Sequence, residues 1–285
     1  MKTGLVLEGG GMRGLFSAGV MDVLMEHGIR FDGIVGVSAG ATFGCNYKSH
    51  QPGRVLRYNL RFRDEPRYMG LRSLLRTGDL VGAEFSYHTM PKELDVFDRA
   101  TYGADPTEFH VVSTDAMTGE PVYHRIDTMD DEGLDWLRAS ASMPLVSRPV
   151  RLGDRLLLDG GISDSIPLRY FQGQGFERNV VILTQPKGFY KKRTRLMPLF
   201  RLFMRRYPAV VRAMSKRHLM YNGELAYLGE EERRGSTLVI CPADALPIGR
   251  TEQAERKMRR VYQAGRTQAE AMLPQTKAFI SNATK

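Results

Sequence analysis

Short apolar runs, each closed by glycine, proline or a turn pair, recur along the chain and alternate with longer segments of helical period. Residues 3–7 (TGLVL) read as a short buried strand, followed by the glycine-rich stretch 8–14. From residue 12 to 27 the apolar positions Leu15, Val20, Val23 and Leu24 mark an amphipathic helix, with Gly28 as its stop. Residues 29–37 form the second strand. Strand, glycine loop, helix, strand is a βαβ unit, which pairs its strands in parallel.

Residues 42–59 continue as helix, broken at Pro52-Gly53. Residues 56–93 mix Arg57, Arg61, Arg63, Arg67, Arg72 and Arg76 with Tyr58 and Tyr68. They predict short helices over the sheet edge, which either line a pocket mouth or present a solvated face. A third strand (108–114) turns at 118–121 into a hairpin partner (122–126). A short helix at 130–140 places the only tryptophan, Trp136, in the core. Residues 151–158 form a hairpin turning at Gly153-Asp154, whose apolar end Leu156, Leu157, Leu158 runs into Asp159-Gly160-Gly161. Residues 179–184 and 236–241 are further core strands. A long charged helix spans 251–273, N-capped by Thr251 and stopped by Pro274, and residues 281–285 are loose. The pattern points to the α/β fold class with parallel strand pairing, residues 1–185 forming one part. Residues 186–285 form a basic, mainly helical segment with one strand returning to the core.

The stretch 31–47 (FDGIVGVSAGATFGCNY) holds Gly36-Val37-Ser38-Ala39-Gly40, a G-x-S-x-G sequence. A β-branched run leads in and small residues lead out, which is the strand–turn–helix setting of a nucleophile elbow. Ser38 then sits in a strained turn at a helix N-terminus, where amide dipoles favour developing negative charge. Gly36 and Gly40 let neighbouring chain segments approach closely. In a chain with 29 glycines this motif alone is weak evidence, because a serine that merely caps the helix fits it too.

The glycine loop has two readings. Gly9, Gly11 and Gly14 fit a dinucleotide fingerprint, with Asp32 further on. Equally, successive amides of Gly10, Gly11 and Met12 fit an oxyanion loop. Ser38 favours the second, since two parallel strands end at the same sheet edge and set the loop beside the elbow.

A serine nucleophile needs a base. Of six histidines only His218 follows Asp159, and its place in a basic run reads as surface. Asp159, held at the end of a core strand, is then the candidate for direct base, although Asp159-Gly160-Gly161 in isolation also reads as a simple turn. The glycine loop, the elbow and Asp159-Gly160-Gly161 together resemble the patatin-like phospholipase family over about residues 3–185. Residues 139–149 are similar to that family's A-S-x-x-x-P block. Ser147 and Ser165 stand where the family often has Phe and Asn, which bears on pocket shape and acyl preference. The resemblance implies a three-layer α/β/α fold with a mostly parallel central sheet, residues 1–185 as the catalytic domain, and a Ser38–Asp159 dyad that cleaves lipid acyl esters, with no cofactor and no metal. It also implies an oxyanion hole made by Gly9, Gly10 and Gly11 with the Met12–Arg13 backbone, and a layout like that of bacterial cytoplasmic members. The competing functions are a Ser–His–Asp carboxylesterase using His218 and a non-catalytic lipid- or anion-binding protein.

Charge changes the picture only locally. The net charge is +9, and residues 186–219 alone carry eleven Lys and Arg with no Asp or Glu, so the remainder stands at −2. Within that window residues 196–214 interleave large apolar side chains with arginine, predicting a short helix and a second short helix after Pro208. Residues 187–217 therefore suit peripheral contact with an anionic membrane, or a helical cap with a solvated basic face. No base-reading motif points to nucleic acid. Cys45 and Cys241 form no disulfide framework and read as buried thiols of a reducing compartment. Residues 1–11 contain no apolar signal core, and the charge-free stretch 33–47 is shorter than the ~18 residues of a membrane span. The expectation is a cytoplasmic protein, soluble or membrane-peripheral.

Overall fold

A computed structural model describes residues 1–281. Lys2–Leu7 (β1) leads through a 3-10 turn, Gly11–Arg13, into helix Gly14–Glu26 (α1) and strand Gly33–Val37 (β2). Helices Ala39–Lys48 (α2), Arg54–Arg61 (α3) and Leu71–Thr77 (α4) follow. A π-helical segment, Phe85–Leu94, and helix Arg99–Ala104 (α5) precede the hairpin of Glu108–Asp115 (β3) and Pro121–Arg125 (β4). Helix Asp131–Ser140 (α6) connects to a second hairpin, Val150–Leu152 (β5) and Arg155–Asp159 (β6). The chain closes with Leu168–Gly173 (α7), Phe176–Ile182 (β7), Met197–Phe203 (α8), Pro208–Arg234 (α9), Thr237–Ile240 (β8) and Glu255–Ser281 (α10).

All eight strands join one sheet in the order β5-β6-β3-β2-β1-β7-β8, with β4 also on β3. The four pairings among β3, β2, β1, β7 and β8 are parallel, and those of β4, β5 and β6 are antiparallel. The strands are apolar on both faces, as a covered parallel sheet requires. Leu5, Leu7, Ile34, Val180 and Ile182 point into one core. Their neighbours Val6, Val35, Val37 and Val181 point into the other. Helices α1, α2, α6 and α10 cover the first face; α7 and α9 cover the second. The expected three-layer α/β/α arrangement is present.

One register detail sets up the site. β4 pairs with β3 from His110 to Thr114, so it occupies one edge of that strand. β2 pairs with β3 as far as Val37↔Val112, and β6 begins at Asp159↔Ser113. Both must use the opposite edge, since each overlaps β4 in register. β2 and β6 therefore meet end to end along one side of β3, and the meeting point is Ser38 and Asp159.

Several expected boundaries are corrected. The second strand starts at Gly33, because Ile29 instead donates its amide to Leu24 at the end of α1. The helix after Pro208 is not short: α9 runs 27 residues to a left-handed cap at Gly235. α10 begins at Glu255 rather than at a Thr251 cap, and it continues through Pro274. An interior proline costs about 3 kcal/mol, and burial along α1 offsets that. Met258, Val261, Ala269 and, beyond the proline, Thr276 are fully buried, and Phe279 and Ile280 pack on the core. The close approach leaves no room for a Cβ at Gly19 against the Tyr262 carbonyl, or at Gly265 against Phe16. Cys45 is buried, whereas Cys241 is only partly so. Ser281 is the last residue of α10; the rest of the 281–285 tail lies outside the described residues. Among the described residues no helix is long and apolar enough to cross a membrane.

Candidate active site

Ser38 occupies the turn between β2 and α2 with φ 55 and ψ −121. A non-glycine residue in that region stores roughly 1–3 kcal/mol of strain, so the surroundings must impose it. Ser140 does much of this. Its hydroxyl accepts the Ser38 amide at 2.9 Å and donates to the Val112 carbonyl at 2.6 Å, tying the turn to β3. Glycines allow the rest. A Cβ on Gly36 would meet the Ala41 amide nitrogen at 2.6 Å, and one on Gly40 would enter the Leu7 carbonyl.

Asp159 ends β6 and is buried. Its Oδ1 accepts the Gly161 amide at 2.8 Å, its own amide reaches the Ser142 carbonyl, and its carbonyl accepts the Thr114 hydroxyl. Gly160 fits only as glycine, because a Cβ would run into the Val112 carbonyl. Burial pushes the Asp159 carboxyl above the usual carboxylate range; the Ser38 hydroxyl, the Gly161 amide, Arg217 and Arg250 oppose that shift. The Ser38 hydroxyl faces the carboxylate as a donor.

The glycine loop lies against the same point. A Cβ on Gly9 would meet Ser38 Cβ at 2.9 Å. Glu8 anchors the loop: one carboxylate oxygen accepts the Tyr221 hydroxyl of α9 and the other accepts the Thr184 amide and hydroxyl. Among the described residues the amides of Gly9, Gly10 and Gly11 hydrogen-bond to nothing. The expectation that Met12 and Arg13 also offer theirs is corrected. Met12 donates to the Arg250 carbonyl at 2.9 Å and Arg13 turns back to Gly10.

Two cavities share Gly11, Ser38, Met143, Val146 and Arg250. One, of about 270 Å³, is apolar and runs among Phe43, Tyr58, Tyr68, Met90, Leu134 and Leu137. The other, of about 550 Å³, holds Asp159, the glycine loop and several cations. The segment 56–93 resolves both of its expectations at once. Tyr58 and Tyr68 turn inward to the first cavity while Arg57, Arg61, Arg67, Arg72 and Arg76 stay exposed. His218 is corrected from a surface residue to a half-buried one lining the second cavity. It hydrogen-bonds to neither Ser38 nor Asp159, and its Nδ1 is buried without a partner among the described residues. No group of three or more metal-ligating side chains forms among those residues.

The family model for patatin-like phospholipases matches residues 5–171. The chain belongs to the patatin-like phospholipase family. A second model, for a domain of unknown function (DUF6363), matches residues 207–281. Among curated relatives, the uncharacterized protein YjjU of Escherichia coli is 31% identical over 66% of this chain and 54% of its own length. The uncharacterized NTE family protein Rv1063c of Mycobacterium tuberculosis is 28% identical over 64% of this chain and 48% of its own. The chain thus spans about half the length of these relatives. In shape it is similar to VipD of Legionella pneumophila, with TM-score 0.48 and 13% identity over 96% of this chain and 67% of that one.

Within the patatin-like frame, sequence reasoning missed three contributors. Ser140 was visible only as part of the A-S-x-x-x-P block. Ala39 starts α2, whose first amides have no intrahelical acceptor. Arg217 reaches back from α9 to the Gly161 carbonyl and the Ser165 hydroxyl, and nothing in a run of eleven cations singles it out.

Proposed function

We propose that the protein is a lipid acyl hydrolase in which Ser38 is the nucleophile and Asp159 its base. Asp159 takes the Ser38 proton as Oγ attacks the ester carbonyl carbon. The carbonyl oxygen becomes an oxyanion facing the unpaired amides of Gly10 and Gly11, with Ala39 opposite. Collapse expels the alcohol, which takes the proton from Asp159. Water then attacks the acyl-enzyme, with Asp159 again as base, and releases the fatty acid. A carboxylate is a weak base for a serine, and burial of Asp159 raises its basicity toward what the step needs. The apolar cavity suits the acyl chain.

The observation that carries this reading is the convergence of a strained serine, a buried carboxylate and unpaired amides where β2 and β6 meet. A fluorophosphonate probe should label the wild type and not Ser38→Ala, and Ser38→Ala should lose ester turnover by a factor on the order of 10³ or more. Unchanged turnover in Ser38→Ala would remove the dyad and leave lipid or anion binding as the function. Loss of turnover in His218→Ala, with folding intact, would instead favour a Ser–His–Asp site.

The same reading places the enzyme at the surface of an anionic membrane, as a cytoplasmic peripheral protein. α8 buries Met197 and Phe200 against Leu158 and Ile162, yet exposes Leu199, Leu202 and Phe203 beside Arg201, Arg205 and Arg206. Leu196 and Phe200 line the cavity that holds Asp159, so the shoulder adjoins its mouth.

A further inference from the structure

Helix α9 lies against the turn that carries Asp159 and holds it from one side. Arg217, Tyr221 and Glu224 stand four and then three residues apart, so they form one stripe on a single face of the helix. Tyr221, in the middle, is buried and donates its hydroxyl to Glu8 Oε1 at 2.6 Å, which fixes the stripe beside the glycine loop. Arg217 donates through Nε to the Gly161 carbonyl, and the Ser165 hydroxyl donates to the same carbonyl at 2.9 Å. Gly161 in turn gives its amide to Asp159 Oδ1 at 2.8 Å. One helical face further on, Glu224 Oε1 accepts the Ser165 amide at 3.0 Å. The stretch 159–165 is thus held by α9 at its middle and at its end.

The other oxygen of Glu224 needs a separate account. Oε2 is buried, and among the described residues no donor reaches it. Its neighbour is a second carboxyl, Asp164, whose Oδ2 already accepts the Tyr123 hydroxyl of β4 at 2.7 Å. Two facing carboxylates repel, whereas one proton between them makes a hydrogen bond. Burial first, then Asp164, pushes the Glu224 carboxyl well above the ordinary carboxylate range, and burial raises Asp164 as well. The other ionisable groups that face the pair are Tyr123, on which Tyr170 of α7 stacks, and Arg217 and Tyr221 of α9 itself. Arg217 is the only cation among them.

We propose that Arg217 and Glu224 are positioning residues for Asp159, and that Glu224 holds the acid turn only while one proton is shared between its Oε2 and Asp164. The proposal rests on Asp159 being the base for Ser38. Both residues lie within 207–281, outside the patatin-like match at 5–171 that contains the acid turn. The segment after the matched part therefore supplies the brace on which the reacting groups depend. When hydroxide removes the shared proton, the two carboxylates repel, Glu224 leaves Ser165, and the turn that carries Asp159 loosens. Activity then has an alkaline limit set by the pair, besides the acid limit set by Asp159.

Two measurements on the 285-residue chain test this. One is a kcat/KM–pH profile on a short-chain ester; the other is amide hydrogen exchange in the peptide spanning 159–166. In Glu224→Ala that peptide should exchange ~10-fold or more faster while β1 and β7 keep their protection, and kcat should fall by a similar factor with little change in KM. Glu224→Gln can make both contacts without a shared proton, its amide oxygen taking the Ser165 amide and its NH2 donating to Asp164. It should restore slow exchange and kcat, and the alkaline fall of the wild type should be gone. Arg217→Gln should loosen the same peptide and move the acid limb to higher pH, since Arg217 helps to keep Asp159 ionised. A merely structural brace would lower stability without moving either limb. Slow exchange with full turnover in Glu224→Ala, or an alkaline limb in Glu224→Gln identical to that of the wild type, overturns the proposal. If the wild type neither hydrolyses ester nor takes a fluorophosphonate while Glu224→Ala still loosens the peptide, the brace stands and the hydrolase reading falls.

Discussion

The two cavities that meet at Ser38 are made from different materials and from different parts of the chain. The apolar one is drawn mostly from residues 39–147, within the family match, and its walls are largely aromatic and aliphatic, with Arg54 and Arg250 among them. The cationic one takes its charged wall largely from residues 191–250, beyond that match. On the proposed reading, the reaction chemistry sits on strand ends fixed by close packing, between an apolar wall and a cationic one. Changes at the seam should abolish turnover, whereas changes to the apolar wall should alter which ester is turned over.

The largest effect is expected at the seam. Asp159→Asn keeps the shape of the side chain and removes the base, so kcat/KM should fall by a factor of roughly 10²–10⁴ with little change in KM. In the wild type the base must be ionised. Burial raises the Asp159 pKa against the opposing pull of the Ser38 hydroxyl, the Gly161 amide, Arg217 and Arg250. Activity should therefore be lost as pH falls through a value above the ordinary carboxylate range, and be held above it. A kcat/KM–pH profile measures this limb. Full activity well below that range would mean that Asp159 is not the base.

How much of this was legible depends on whether backbone or side chain dictates the residue. Gly36, Gly40 and Gly160 stand where a neighbouring carbonyl or amide leaves no space for a Cβ, so the seam is written in glycine and can be read directly. Asp159 was found because no histidine suited the elbow and because Asp159-Gly160-Gly161 completes the three-motif resemblance. That β6 continues the line of β2 along one edge of β3 was not readable, since antiparallel insertion leaves no local pattern. The cationic wall was hidden for another reason. Eleven cations between residues 186 and 219 share one composition, and only the return of α9 over the sheet decides that Arg217 faces Asp159 while Arg201, Arg205 and Arg206 face outward. Pro274 misled because the contacts that hold α10 come from far away in sequence, α1 against its first half and Arg178 over Phe279 beyond the proline.

A smaller effect is expected from the apolar wall. Leu80 is half-buried and lines that cavity, so a larger side chain there encroaches on the space without overfilling the core. Leu80→Trp should reduce kcat/KM for long-chain esters about 10-fold and leave short-chain esters nearly unchanged, since a few methylenes of pocket depth are worth 1–3 kcal/mol. A chain-length series with one common headgroup tests this. A uniform loss across the series would place the acyl chain elsewhere.

The smallest effect concerns the shoulder outside both cavities. Leu202 and Phe203 are 61% and 67% exposed, and neither lines the site. If they dip into a bilayer, each contributes about 1.5–3 kcal/mol of burial at most, and interfacial placement realises only part of it. Leu202→Asp/Phe203→Asp should therefore cut co-sedimentation with anionic vesicles several-fold while turnover of a dispersed short-chain ester stays within error. Neutral vesicles should retain little of either protein, because the flanking arginines add attraction only toward anionic lipid. Wild-type protein that ignores both kinds of vesicle would reduce α8 to a cap on the core.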